Sequence, residues 1–263
     1  MPYFPQLSSG ARAQFPVVRS VRRRTTKCEQ MDGLEWKVAD PGVGEREWVL
    51  EFRGLSEEEW RALEGLFHEV EGRRGTFVFV DPTDNLLVWS EELSQEAWYK
   101  DPYLELVEGA PDPKGGTRAA RLRNSGEATQ RIEQSLEIPA WYQYCFSVWL
   151  KGDPWSEVTL FARTGTAGEA RTIRVSGSWQ RACLPVKLES NEELVKFGLE
   201  LDPGRSVDVY GMQVDAQPAP SPYKRTMAQG GVYPEARFGD DFFEVVAEGP
   251  GSFGCRVRVV AAR

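Results

Sequence analysis

From Gly54 to Pro82 the chain runs first through a helical period and then through a strand that is apolar on both sides. Trp60, Leu63, Leu66, Phe67 and Val70 recur on one face at helical spacing, which turns Glu57, Glu58, Arg61, Glu64 and His68 to water. Ser56, with Glu59 three residues on, predicts a capping box. Leu55 and Trp60 flank it as a hydrophobic staple, and Gly72 is placed to end the helix in a left-handed conformation. Buried together, the apolar stripe contributes on the order of 10 kcal/mol as an upper bound. Thr76-Phe-Val-Phe-Val80 follows and predicts a strand covered on both faces. Nothing in this stretch is chemistry; it is a core helix and a core strand.

On either side of it the period is two. Pro16 to Cys28, rich in valine, threonine and arginine, predicts a strand. Leu34, Trp36 and Val38 alternate with Glu35 and Lys37, Asp40-Pro-Gly-Val-Gly44 supplies turn chemistry, and Trp48, Leu50 and Phe52 alternate with Val49 and Glu51. The expectation is a β-hairpin with one apolar face and the helix lying across it. Past Asp81-Pro82, eight short alternating runs separated by Gly, Pro, Asn and Asp predict a β-sandwich: 117–123, 128–138, 142–150, 157–163, 171–175, 181–188, 194–201 and 207–214. Gln217-Pro-Ala-Pro-Ser-Pro-Tyr223 reads as its exit linker. Phe242–Val246 and Cys255–Val260, joined through Glu248–Gly254, form a last hairpin, and two strands alone are marginal. That hairpin needs a sheet, and the helix-bearing portion is the host. The predicted fold is therefore mostly β: a discontinuous α+β domain (residues 1–84 plus 223–263, a sheet with one helix) carrying an inserted β-sandwich, residues 85–222.

Composition narrows the function. With 41% hydrophobic and 27% charged residues, 263 residues are enough for a substantial core. No run approaches a membrane span, and Met1-Pro-Tyr-Phe-Pro lacks the order of a signal peptide, so membrane insertion is not expected and synthesis in the cytoplasm is. Cys28, Cys145, Cys183 and Cys255 are widely spaced, which signals neither a zinc site nor a disulfide scaffold. A net charge of −8 argues against nucleic-acid binding. The N-terminal segment is locally basic, since Arg12, Arg19, Arg22, Arg23, Arg24 and Lys27 all precede the first acid, Glu29. It is either a solvated arm or a contact for an acidic neighbour, including another copy of this chain, with Arg19, Arg22, Arg23 and Arg24 as the candidate assembly contacts.

Candidate chemistry is sparse. Gly249-Pro-Gly-Ser-Phe-Gly254 fits G-x-G-x-x-G literally, but a β-branched run follows where a dinucleotide site needs a helix, and Pro250 removes an amide; a hairpin loop explains the glycines. His68, the single histidine, falls on the polar side of the helix, where an exposed residue is expected rather than a catalytic base in a pocket. No cofactor, metal or catalytic residue is assigned. A glycan-hydrolysing enzyme would need only paired carboxylates, which forty acids make unavoidable in sequence, although most of the glutamates fall on solvent faces. Sugar binding calls for a flat aromatic beside hydrogen-bonding groups. Along Tyr142–Lys151, Trp149 shares a face with Gln143, Cys145, Ser147 and Lys151, and Thr159, Phe161 and Arg163 on the next run are expected to extend it. Trp149, Phe161, Arg163 and Gln143 are the candidate glycan-binding residues; Trp98, Trp141, Trp155 and Trp179 are secondary ones.

Three stretches carry a resemblance. The order of hairpin, W-x-x-L-x-x-L-F helix (Trp60 to Phe67) and G-R-x-G-T-F-x-F-x-D-P (Gly72 to Pro82) resembles the minor and distal tail proteins of long-tailed bacteriophages. Asn85-Leu-Leu-Val-Trp-Ser-Glu91 with Trp98 resembles the opening of carbohydrate-binding-like jelly-roll modules found in tail proteins. Tyr210-Gly-Met-Gln-Val-Asp215 with Pro220-Ser-Pro-Tyr-Lys-Arg-Thr226 resembles their closing motif, with Asp215 where glutamate is usual. The resemblance implies a non-enzymatic structural protein of the virion tail tip, assembled in the bacterial cytoplasm. Its partners would be its own copies in a ring, the tail tube protein, the tail hub protein and, through the sandwich, host surface polysaccharide. A free lectin-like protein and a carboxylate glycosidase are the alternatives.

Overall fold

A computed structural model describes residues 1–29, 34–152 and 156–262, and for 39–43 the backbone alone. In chain order the elements are β1 (Val18–Glu29), β2 (Glu35–Leu55), α1 (Glu57–Glu69), β3 (Phe77–Val80), β4 (Tyr99–Lys100), β5 (Leu104–Ala110), β6 (Ala119–Asn124), β7 (Gln130–Leu136), β8 (Tyr144–Gly152), β9 (Glu157–Arg163), β10 (Gly168–Arg174), β11 (Gln180–Val186), β12 (Val195–Leu201), β13 (Ser206–Asp215), β14 (Val232–Phe238), β15 (Val245–Gly249) and β16 (Ser252–Ala262). The fold is mostly β with one helix among the described residues. Two compact units divide it, Met1–Phe79 with Tyr233–Arg263, and Val80–Val232; the expected boundaries at 84/85 and 222/223 both lie inside the second.

In the first unit one sheet runs β1-β2-β16-β14-β3, with β15 also paired to β16. Alternation puts Trp48, Leu50 and Phe52 opposite Val259, Val257 and Cys255, so six buried side chains share one face. α1 packs on β2 and β16 over that face. Its start is the expected capping box: Glu59 N–H donates to Ser56 Oγ at 3.2 Å, and Ser56 N–H donates to Glu59 Oε2 at 2.9 Å. Leu63, Leu66 and Val70 are buried, and Phe67 lies 5.2 Å from the Phe238 ring. The helix ends through two left-handed residues, Glu71 before Gly72. All four residues of β3 are buried, in line with its doubly apolar reading.

The N-terminal hairpin differs from expectation. Asp40–Gly44 is not its turn: β2 is one strand of 21 residues, and β1 pairs with it from Val18↔Val49 out to Glu29↔Glu35. Turn chemistry is absorbed as a bulge, where β1 advances from Arg22 to Arg24 while β2 runs from Glu45 to Asp40. A proline is tolerated there because β16 pairs with β2 only as far as Glu45, which leaves that side of β2 without a partner among the described residues. At the other end of the chain, β15 and β16 meet across Pro250-Gly251, with Gly251 at a positive φ, so the literal G-x-G-x-x-G run is a tight hairpin.

The second unit is a sandwich of two five-stranded sheets, β10-β9-β12-β7-β4 and β11-β8-β13-β6-β5. Val158, Leu160 and Ala162 of β9, Phe197 and Leu199 of β12, and Phe146, Val148 and Leu150 of β8 are buried in its core. Its opening and closing motifs hold each other. Asn85, fully buried, donates from Nδ2 to the carbonyls of Met212 (2.9 Å) and Lys224 (3.3 Å), and its Oδ1 accepts from Leu87 N–H (3.1 Å) and Val214 N–H (3.0 Å). Ser90 Oγ lies 2.8 Å from Tyr223 Oη and accepts from Thr226 N–H at 2.9 Å. Trp98, a secondary sugar candidate in sequence, is buried here and donates to Trp89 O at 3.0 Å.

Candidate functional site

The candidate sugar residues do not form one platform. Trp149 lies on β8 and Phe161 and Arg163 on β9, which belong to different sheets, so both outward sets point away from opposite sides of the sandwich. Sequence adjacency of the two runs suggested a pair; the chain instead crosses between sheets at that point.

On the β9 sheet, Thr159, Phe161 and Arg163 face out beside Lys196, Gly198 and Glu200 of β12 and Arg131 and Glu133 of β7. Glu133, almost wholly buried, is the hub: Arg163 hydrogen-bonds it closely, with Lys196 at 3.3 Å and Arg131 at 3.5 Å. Arg163 also reaches Glu200 at 3.2 Å and stacks 4.2 Å above the Phe161 ring. Gly198 makes this possible, because a Cβ there would stand 2.7 Å from Phe161 Cζ and 2.1 Å from Ile132 O. Phe161 is therefore only 3% exposed and Arg163 is committed to carboxylates. These two are a covered structural stack, which corrects their reading as a sugar surface. Tyr99 is the exposed ring on this side, with Arg131 5.5 Å over it.

The β8 sheet is more open. Trp149, half-buried, faces out between Arg181 of β11 and Tyr210 of β13. Arg181 donates to Ser147 Oγ at 2.9 Å, and Arg121 forks onto Asp208, with Nε–Oδ1 at 2.6 Å and NH2–Oδ2 at 3.0 Å. One pleat repeat from Trp149, about 7 Å on, Lys151 joins Arg121, Ser206 and Asp208 in a polar cleft of about 330 Å³. A ring beside fixed, planar donors and acceptors is what a sugar's C–H face and hydroxyl rim require. Gln143 is half-buried in the loop ahead of β8 and does not line this cleft. Trp141 and Trp179 are half-buried near strand ends, and Trp155 lies outside the described residues.

Farther along the β8 sheet the closing motif occupies the outer face. Glu91 is buried between Arg118 (3.1 Å) and Arg225 (3.0 Å). Burial, and then Glu91, push the Tyr210 phenol up to about 12, and burial raises Tyr223 as well. This ion-paired and hydrogen-bonded cluster fixes the motif; it does not offer a cavity of useful size.

The basic segment becomes β1 of a projecting ribbon. Cys28 pairs with Trp36 and Thr26 with Val38, so these four share one side; Lys27 pairs with Lys37 and Glu29 with Glu35 on the other. The charged side closes on itself, with Lys27–Glu35 at 3.0 Å and Lys37–Glu35 at 3.7 Å. The apolar side stays bare: Leu34, Trp36 and Val38 are 60%, 59% and 56% exposed. Of the four candidate arginines, Arg19 lies 5.9 Å over the Trp48 ring and Arg22 pairs with Glu47 at 2.9 Å, so both serve the first unit's own fold. Arg23 and Arg24 are exposed at the bulge, with no ion pair among the described residues.

No protein-family model matches the sequence, and no curated protein sequence matches it either. Solved structures do show likeness. The C-terminal family 22 carbohydrate-binding module of Clostridium thermocellum Xyn10B is 15% identical with a TM-score of 0.42, over 54% of this chain and 99% of that one. TmCBM61, solved with β-1,4-galactotriose, is 14% identical with a TM-score of 0.39, over 49% and 97%. The enzymatically active domain of bacteriophage CBA120 tailspike protein 4 is 10% identical with a TM-score of 0.41, over 52% of this chain and 22% of that one.

Proposed function

We propose that this protein is a structural, non-enzymatic subunit of a phage or phage-derived tail tip, in which the first unit assembles with its own copies between tail tube and hub and the sandwich binds cell-surface glycan. One observation carries the assembly: the amphipathic β1–β2 ribbon, which closes its charged side internally and leaves Leu34, Trp36 and Val38 bare. A two-stranded ribbon is marginal in water alone, and open edges beside an apolar face invite pairing that a monomer normally blocks. Covering a tryptophan, a leucine and a valine is worth roughly 1.5–3 kcal/mol each, enough to hold a multi-copy contact. The tail-tip setting rests on the motif order from Trp60 to Pro82.

For the sandwich, the half-exposed Trp149 and the Arg121–Asp208–Lys151 cleft beside it favour weak glycan binding, which many copies strengthen by avidity. The full-length protein on a glycan array, with Trp149→Ala beside it, tests the sandwich. Binding lost in the variant supports the reading. Silence of the wild type removes the glycan role, and strong binding by a protein with no affinity for tail tube protein favours the free lectin.

A further inference from the structure

We propose that the apolar side of the ribbon seats in a groove on the outer face of the first unit's sheet in a second copy of this chain. This deepens the assembly reading given above and rests on it. The groove, about 660 Å³, lies between the outward side chains of β2 and β16 and the overhanging 240–248 segment. Two large apolar groups on its wall are bare, Phe242 at 69% exposed and Val246 at 54%. Five acidic residues against three arginines line it, among them Glu51, Glu244 and Glu248. On β1, Arg19, Arg22 and Lys27 are held by Trp48, Glu47 and Glu35 of their own chain, which leaves Arg23 and Arg24 as its complement. Glu244 has no ion pair among the described residues, the same condition as Arg23 and Arg24 at the bulge. Apolar groups, and charges of opposite sign with no ion pair among the described residues, are thus present on both surfaces.

The occupant is another copy because of the path of β2. The groove is floored by Val49 and Glu51 on β2, and the ribbon is the same strand continued outward past Glu45 to Trp36. At about 3.3 Å per residue the ribbon tip stands roughly 30 Å from its own groove. A strand cannot turn back on itself to fill it. Ribbon into groove joins two different surfaces, so the contact is heterologous and closes into a ring when its rotation permits.

The test uses the full chain in a Cys28→Ser background, since Cys28 neighbours the ribbon position to be labelled. Val38→Cys protein and Val246→Cys protein carrying different tags are mixed and oxidised with copper phenanthroline. A disulfide between the two tags is expected, in excess of either protein alone. In parallel, Arg24→Glu and Glu244→Arg, both at exposed side chains, should each weaken assembly about tenfold, and mixing the two variants should restore it. Wild-type protein that stays monomeric overturns both this contact and the assembly reading. Wild-type protein that assembles without the mixed disulfide, and without response to either charge reversal, overturns this contact alone.

Discussion

Asn85→Ala removes a fully buried side chain that ties the sandwich's first residues to its last. The wild-type amide makes four hydrogen bonds, to Met212 O, Lys224 O, Leu87 N–H and Val214 N–H, at 2.9–3.3 Å and without solvent access. Alanine leaves two backbone donors and two acceptors to find other partners. At about 1–3 kcal/mol for each buried group abandoned, and allowing water into part of the vacated space, the loss comes to about 4 kcal/mol. For a unit of this size that is about 10 °C in midpoint temperature. Hydrogen exchange followed by mass spectrometry reads the effect by segment. Protection should fall across β6, β8 and β13, while the amides of 1–79 and 233–262 keep theirs. A loss below about 1 kcal/mol, or a loss shared equally by both units, would refute the idea that this residue closes the sandwich.

Removal of residues 252–262 deletes β16, the strand between β2 and β14, so the first unit should lose its urea transition while the sandwich keeps its own. The Glu192 carboxylate accepts from Thr166 Oγ1 and from the amides of Gly165 (2.9 Å) and Thr166 (3.0 Å), which hold its pKa down to about 2 from the ordinary 4.5. A lowered folded pKa contributes stability above pH 4.5 that is lost as pH falls through about 2. Proteolysis of the 164–168 loop should therefore rise in that window and become independent of pH in Glu192→Gln. Burial raises the Cys145 thiol to about 12 and Cys255 to about 11, whereas Cys28 is exposed on the ribbon. A thiol reagent at pH 8 should label Cys28 in the free protein, spare the two buried thiols until unfolding, and lose Cys28 as well when the protein assembles.

What could be read from sequence was local. The Ser56–Glu59 box, the buried Leu63/Leu66 stripe and the Phe77–Val80 strand depend on neighbours within a few residues, and each took the expected form. The eight alternating runs of the sandwich all became strands, because period two survives wherever one side is buried. Misreadings came where a distant partner decides. Asp40-Pro-Gly looks like a turn in isolation, and becomes a bulge because β1 pairs along the whole of β2. Leu104–Ala110 and Val232–Phe238 are not among the strands expected from sequence, yet both are strands, held by β6 and by β16. The Glu133 hub was invisible for the same reason: Arg131 neighbours it along β7, but Arg163 and Lys196 meet it only through the β7-β12-β9 order, which no spacing along the chain encodes. Trp149 was legible as an outward ring among polar groups; its separation from Phe161 was not, since a run of alternating residues does not say which sheet it joins.

The central claim is assembly through the ribbon, and the mass of the full chain in solution tests it most directly. A single chain is 29.7 kDa. Sedimentation at rising concentration, alone and with tail tube protein, should show a closed multiple of that mass for the wild type and the single-chain mass for Trp36→Asp/Val38→Asp, whose exposed positions leave folding intact. A wild-type protein that remains at single-chain mass at high concentration and ignores tail tube protein would contradict the account.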